Sequence, residues 1–172
     1  RRAGVEHIAI LGDSYSSGEG AGAYQNGTDG EPNGNSCHRS DNAYGKVLVK
    51  DADPAAAATL IACSGAVTAD FYGNQVSGGA KVEPQLKRLR SLALSDRSLD
   101  AVLLSIGGND VDFAGTVFWC IVAMPGQTCA RFGPIEEGQF RTGAAGRIAA
   151  VADSLRRVYR DINRAVNDPQ AR

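Results

Sequence analysis

Three stretches of the 172-residue chain deliver small and polar residues at the end of an apolar run. They read Ile10-Leu11-Gly12-Asp13-Ser14-Tyr15-Ser16, Ala62-Cys63-Ser64-Gly65-Ala66 and Ser105-Ile106-Gly107-Gly108-Asn109-Asp110. Between them they offer a hydroxyl, a glycine amide and a side-chain carboxamide. Acyl transfer needs such a set, a nucleophile and donors aimed at a developing oxyanion. Ser14 supplies the hydroxyl. Its own N–H, the N–H of Gly65 and the amide of Asn109 are the expected donors. A glycine lets an acyl group approach the backbone closely, and a carboxamide N–H stays neutral at every working pH. Taken singly, each residue has a blander role: Ser14 as a helix cap, Gly65 as a turn glycine, Asn109 as a turn or cap residue. Asp13 is expected to be structural, bonding nearby backbone N–H groups.

For these residues to meet, the runs that carry them must be neighbouring parallel strands. Residues 6–11 are short, apolar and stopped by Gly12-Asp13, which reads as a buried strand. Residues 59–62 form a weaker strand pattern. Residues 99–106 form the clearest, running into Gly107-Gly108. Helical patterns lie between them. Pro84 opens one with Leu86, Leu89 and Leu92 on a single face. The longest carries Ile148, Val151, Leu155, Val158, Ile162 and Val166 at three-and-four spacing and is stopped by Asn167-Asp168-Pro169. Asn42 is a candidate cap for a short helix with Tyr44, Val47 and Leu48. Residues 18–36, rich in Gly, Asn and Asp, read as a long loop. Strand–helix alternation argues for an α/β fold with a parallel sheet, whose ligands bind beyond the C-terminal strand ends.

Gly12-Asp13-Ser14, then Gly65, then Gly107-Gly108-Asn109-Asp110, resemble the first three sequence blocks of the GDSL or SGNH hydrolases, which are esterases and lipases. The longer stretch Gly12-Asp13-Ser14-Tyr15-Ser16-Ser17-Gly18-Glu19-Gly20 is similar to their secreted actinobacterial branch. So are Cys37-His38-Arg39-Ser40 with Asn42-Ala43-Tyr44, and Ala62-Cys63-Ser64-Gly65-Ala66. The resemblance runs through nearly the whole chain. It implies a flavodoxin-like three-layer α/β/α sandwich, with Ser14 as nucleophile and Ser14 N–H, Gly65 N–H and Asn109 as oxyanion donors. The activity it implies is a secreted serine esterase or lipase working through an acyl-enzyme on a small-molecule or lipid ester, without a cofactor. Two other readings stay open: a carbohydrate acetylesterase, and a carbohydrate- or lipid-binding module that kept the site and lost the base.

A serine nucleophile needs a general base, most often His. The chain has two. His7 lies at the start of the first strand, on the order of 20 Å from Ser14 at about 3.3 Å per residue, and is expected to be a partly buried strand-end residue. His38 is expected to rim the cleft from a loop. In the resembled family the base belongs to a C-terminal Asp-x-x-His block, and here Asp161-Ile162-Asn163-Arg164 has Arg in its place. The chain opens without Met or an apolar leader segment, as a mature product or an excerpt. Asp168-Pro169-Gln170-Ala171-Arg172 reads as the lead into a further strand. The 172 residues are therefore expected to be the first part of a larger hydrolase, with the catalytic His outside them and the sheet truncated at the C-terminus.

Composition narrows the partners. Lys plus Arg is 18 against 19 Asp plus Glu, a net charge of −1, which argues against nucleic acid, whose binding domains carry a basic excess. No apolar run approaches the ~20 residues of a membrane span, so stable insertion is not expected. Oligomeric state is not fixed by the sequence. The four Cys are either small buried hydrophobes or, on the reading preferred for an exported protein, two disulfides. The expected pairs are Cys37–Cys63, tying the Gly-rich loop to the strand end with Gly65, and Cys120–Cys129, closing a short loop around Pro125-Gly126. No metal site is expected: there is no C-x-x-C pair, and Asp110 and Asp112, without the calcium-loop spacing, read as solvated or capping acids. Gly18-Glu19-Gly20-Ala21-Gly22-Ala23 fits a loose dinucleotide pattern but does not directly follow a strand. No G-x-S-x-G elbow surrounds Ser14 or Ser64.

Overall fold

The computed structural model describes residues 5–95, 99–115, 143–168 and 170. At its centre is β1, His7–Gly12, buried along its whole length. A strand covered on both faces must be apolar at every position rather than at alternate ones, as Ile8-Ala9-Ile10-Leu11 is. It pairs in parallel with β2, Ala57–Leu60, on one side and with β5, Leu99–Ser105, on the other. All three expected strands are present. The second lies two residues earlier than its apolar pattern suggests, because the N–H groups of both Ile61 and Ala62 converge on the carbonyl of Ile10 and end the ladder there. The small, partly exposed Ala57 and Ala58 carry the pairing instead.

The pleat sorts β1 into two cores. Ala9 and Leu11 face Ile61, Phe71, Leu86, Leu89, Val158 and Ile162, while Ile8 and Ile10 face Ala43, Val49, Leu60 and Ala62. The first core lies under α3, Gln85–Ser95, and α4, Gly143–Asn167; the second lies under α2, Tyr44–Ala52. Helices therefore cover both faces of a parallel sheet, the α/β sandwich expected. In α3 the stripe is as read, with Leu86 and Leu89 buried and Leu92 packed against them. In α4 the stripe holds from Val158 onward, with Val158 and Ile162 buried and Val166 packed against that core, but Ile148 is exposed.

Helix α2 departs from expectation. Tyr44, Val47 and Leu48 point outward, and Gly45 and Val49 are buried. A Cβ on Gly45 would stand 2.8 Å from Ile10 Cδ1 and 3.1 Å from Leu103 Cδ1, so the helix lies on the sheet at its glycine. Tyr44 turns away and meets the Tyr15 ring at 5.1 Å. Asn42 does not cap this helix; Ala43 holds the cap position, and the Asn42 amide donates to the carbonyl of Ala21. Residues 18–36 are loop, as expected, with Tyr24 bridging to Ser40.

A short helical turn, Thr68–Phe71, and a hairpin lie outside the sequence reading. β3, Gln75–Ser77, and β4, Ala80–Val82, form an antiparallel hairpin around Gly78-Gly79, both with positive φ. The Gly-Gly pair between two short strands is the signal that was available, since such turns need positive φ at both central residues.

Candidate active site

Ser14 stands where β1 ends. Gly12 closes the strand at φ +125, and a Cβ there would meet the Ser105 carbonyl oxygen at 1.9 Å. Only glycine lets β1 and β5 run this close. The fully buried Gln85 accepts from Gly12 N–H and donates to Gly12 C=O, each at 2.8 Å. The chain then turns at once into α1, Ser14–Ser17, with Asp13 at the cap. Asp13 Oδ1 accepts from Tyr15 N–H at 3.2 Å and from the Ser105 hydroxyl at 2.7 Å. Ser16 Oγ lies 2.7 Å from that hydroxyl and accepts from Ser105 N–H at 3.1 Å. Asp13, Ser16 and Ser105 thus pin the turn to the end of β5. The capping role weighed for Ser14 falls to Asp13, and among the described residues the Ser14 hydroxyl has no hydrogen-bond partner.

The loop after β2 is held from several sides. Cys37 and Cys63 are disulfide-bonded, as expected. Ser64 N–H donates to the Cys37 carbonyl at 3.0 Å, and Gln75 Nε2 donates to the Ser64 carbonyl at 2.8 Å. Gly65 takes φ +77 and is exposed. The third stretch reaches across to this loop. Asn109 Nδ2 donates to the Ala66 carbonyl at 2.9 Å, which uses one of its two N–H groups and leaves the other. Asp110 accepts from the amide and hydroxyl of Thr68. Asp112, at φ +53, accepts from Gly115 N–H. Cys120 and Cys129 lie outside the described residues.

Ser14 and Asn109 open onto one cleft of about 690 Å³. Leu104, Ile106 and Ala114 supply an apolar wall beside them. Tyr15, Phe113 and Tyr159 also line it and are 71%, 63% and 57% exposed, so aromatic surface rims the opening. Gly65 does not line the cleft itself; it joins through Ala66 and Asn109.

Neither histidine stands at Ser14. His7 Nε2 lies 2.7 Å from Thr59 Oγ1, at the far end of β1. His38 was expected on the cleft rim and lies one residue behind it. Its Nδ1 is 2.6 Å from Glu19 Oε2, its Nε2 is 3.6 Å from Asp29 Oδ1, and its ring packs 5.1 Å from Tyr24. Glu19 lines the cleft and accepts a second bond from the Ser64 hydroxyl at 2.5 Å. Burial alone would raise the Glu19 pKa, but the bonds from Ser64 and His38 outweigh it and hold the carboxyl below its ordinary value. Arg39 lies buried behind this group, donating to the carbonyls of Ala62 at 2.8 Å and Ile61 at 3.2 Å. Burial, with the Arg88 charge nearby, pushes its pKa down to about 10. It still carries its charge at neutral pH, on the backbone that leads into Cys63.

No family model matches the chain. Curated relatives do. A lipase of Streptomyces rimosus is 34% identical over 116 residues, covering 67% of this chain and 34% of that protein. Lipase 1 of Streptomyces coelicolor is 30% identical over 134 residues, covering 78% of this chain and 41% of its own length. The crystal structure of a phospholipase A1 from Streptomyces albidoflavus matches with a TM-score of 0.55 at 28% identity, covering 94% of this chain and 55% of that one. An extracellular lipase from Streptomyces rimosus matches at 0.53 and 29%, covering 92% and 54%. This chain belongs to the GDSL/SGNH hydrolase family, with the Streptomyces lipases. It spans between 34% and 55% of the length of these SGNH relatives.

Within this SGNH frame, the structure adds residues that sequence reasoning gave no role. Gln85 had no signal beyond its place after Pro84. Ser105 and Ser16 read as ordinary small residues. Glu19 was visible only as part of the Gly18-to-Gly20 stretch, since its partners Ser64 and His38 are 45 and 19 positions away.

Proposed function

We propose that this protein is a secreted serine hydrolase that cleaves carboxylic esters of lipids through an acyl-enzyme on Ser14. The observation that carries the proposal is that Ser14 and Asn109 line the same cleft, where among the described residues the Ser14 hydroxyl and one Asn109 N–H have no hydrogen-bond partner. Ser14 Oγ attacks the ester carbonyl carbon as its proton passes to a general base. The oxyanion that forms is stabilised by Ser14 N–H, Gly65 N–H and Asn109 Nδ2–H. Collapse breaks the ester C–O bond, and the alcohol leaves with the proton from the base. Water then adds to the acyl-enzyme, the base takes its proton, and Ser14 Oγ is reprotonated as the acid departs.

The general base is proposed to come from outside these 172 residues, because His7 is at the wrong end of β1 and His38 is engaged with Glu19 and Asp29. The apolar wall of Leu104, Ile106 and Ala114 and the aromatic rim support a hydrocarbon acyl chain as the group received. The lipase and phospholipase names of the relatives support the same substrate class, and the extracellular neighbour together with the Cys37–Cys63 bond supports export.

The test is hydrolysis of p-nitrophenyl esters and of phosphatidylcholine by the enzyme expressed from its natural gene. Release of fatty acid, lost by at least about 10³-fold in Ser14→Ala, supports the reading. Binding of lipid without turnover supports the non-catalytic module instead. Turnover restricted to acetylated sugars supports the acetylesterase.

A further inference from the structure

We propose that Glu19 is a positioning residue of this site, tying the turn that carries Ser14 to the loop that carries Gly65. Its two ends reach the two parts. The Glu19 backbone N–H donates to the Ser14 carbonyl at 3.0 Å. Its carboxylate accepts from the hydroxyl of Ser64, the residue before Gly65. One side chain therefore links the turn of Ser14 to the residue before Gly65. The proposal rests on the ester-hydrolase reading and extends it to a residue that never touches the reacting atoms.

The carboxylate is itself held. His38 Nδ1 meets the same Oε2 at 2.6 Å, and His38 is braced by Asp29 and the Tyr24 ring. His38 adopts φ +48, a left-handed conformation uncommon for a residue with a Cβ. It sits between two residues of a fixed frame, Cys37 of the disulfide and the buried Arg39. The loop has other tethers at Ser64 N–H, Ser64 C=O and Ala66 C=O. They run to the Cys37 backbone, to Gln75 and to Asn109. Cys63 N–H also donates to the Gly12 carbonyl at 3.0 Å, backbone to backbone, whereas the Ser64 hydroxyl bond leads back to the Ser14 turn through the Glu19 side chain, which a substitution can remove.

What Glu19 contributes on this geometry is an acceptor oxygen in a fixed place, so a neutral acceptor should replace it. The energetic consequence falls on the transition state, because the oxyanion forms only there. A displaced donor lowers kcat and leaves KM nearly unchanged. A loss of order 10- to 100-fold is expected, since a donor misplaced by about 1 Å costs up to roughly 10² in rate.

The experiment compares Glu19→Ala, Glu19→Gln and Ser64→Ala in the enzyme expressed from its natural gene, with p-nitrophenyl butyrate as substrate and Ser14→Ala as the control. Glu19→Ala is expected to lose roughly 10- to 100-fold in kcat with KM within about threefold, and Glu19→Gln to recover to within about threefold of the parent. Ser64→Ala, which leaves Glu19 and its His38 contact in place, is expected to match Glu19→Ala, and the double variant to be no worse than either. If Glu19→Ala does not fold, the Ser64→Ala and Glu19→Gln results decide. A Ser64→Ala kcat within twofold of the parent overturns the proposal. So does a Glu19→Gln variant with under a tenth of the parent kcat, which would assign the residue to proton transfer. A parent enzyme no faster than Ser14→Ala would fail the ester-hydrolase reading itself, and the positioning role with it.

Discussion

Among the described residues nothing bonds the Ser14 hydroxyl, because its neighbours take over the structural work. Asp13 caps the helix, Ser16 bonds Ser105, and Ser17 Oγ turns back to the Ser14 carbonyl. Asn109 divides its amide between the Ala66 carbonyl and the cleft. Replacing it with Ala should cut kcat by about 10²–10³, the usual cost of an oxyanion donor. The check is steady-state kinetics alongside a melting curve; a loss below about threefold with folding intact would contradict the role. Gly12 makes a sharper structural prediction. Any Cβ at its φ of +125 collides with the Ser105 carbonyl. Gly12→Ala should therefore cost more than about 3 kcal/mol in urea unfolding, beyond the common range for point substitutions. At this scale the sequence exposes the chemistry better than its support. Ser14, Gly65 and Asn109 are proposed from type and position, and the structure places Ser14 and Asn109, but not Gly65, at the cleft. Gln85, Ser105 and Glu19 act through partners between 19 and 92 positions away, and no local pattern encodes such distances.

The elements show where periodicity suffices. β1 is covered on both faces and reads as an unbroken apolar run, and α3 presents one leucine stripe to one core. Leu89, fully buried in that core, should cost about 2–5 kcal/mol on replacement by Ala, as measured by denaturant unfolding. In α2 the buried face carries little hydrophobic signal. Its apolar residues Tyr44, Val47 and Leu48 point outward, because the helix approaches the sheet through Gly45, and a missing side chain carries no hydrophobic signal. The Cys37–Cys63 bond spans 26 positions across the Gly-rich loop. Loop-closure entropy for a segment of that size is worth about 3–4 kcal/mol. Substituting both cysteines by Ser should remove about that much stability, and a change under about 1 kcal/mol would show that the loop is ordered without it.

Across the whole molecule, the Glu19 and Asp41 carboxyls sit below their ordinary values. For Glu19, burial opposes the shift, and the Ser64 and His38 bonds overcome it; for Asp41, the Lys46 and Gln25 bonds lead. Both groups bind protons more weakly folded than unfolded. Their contribution is therefore present above the unfolded values, near 4 for such carboxyls, and is lost as the pH falls through the folded ones. Melting temperature should hold above about pH 5 and decline below pH 4, and the decline should be shallower in Glu19→Gln. The parallel sheet with helices on both faces was legible from strand–helix alternation alone. That the first and third stretches meet at one cleft was legible from their strand-end positions; the second stretch stands beside it, joined through the bond from Asn109 to the Ala66 carbonyl. The proton acceptor was not, because neither histidine of the chain stands at the cleft beside Ser14. The central claim, that Ser14 is the nucleophile, is tested most directly by covalent capture. The enzyme expressed from its natural gene is treated with a fluorophosphonate, and the modified peptide is identified by mass spectrometry. A single adduct on Ser14, absent from Ser14→Ala, is the predicted result; labelling that persists in Ser14→Ala, or an adduct on Ser64 or another serine, would contradict it.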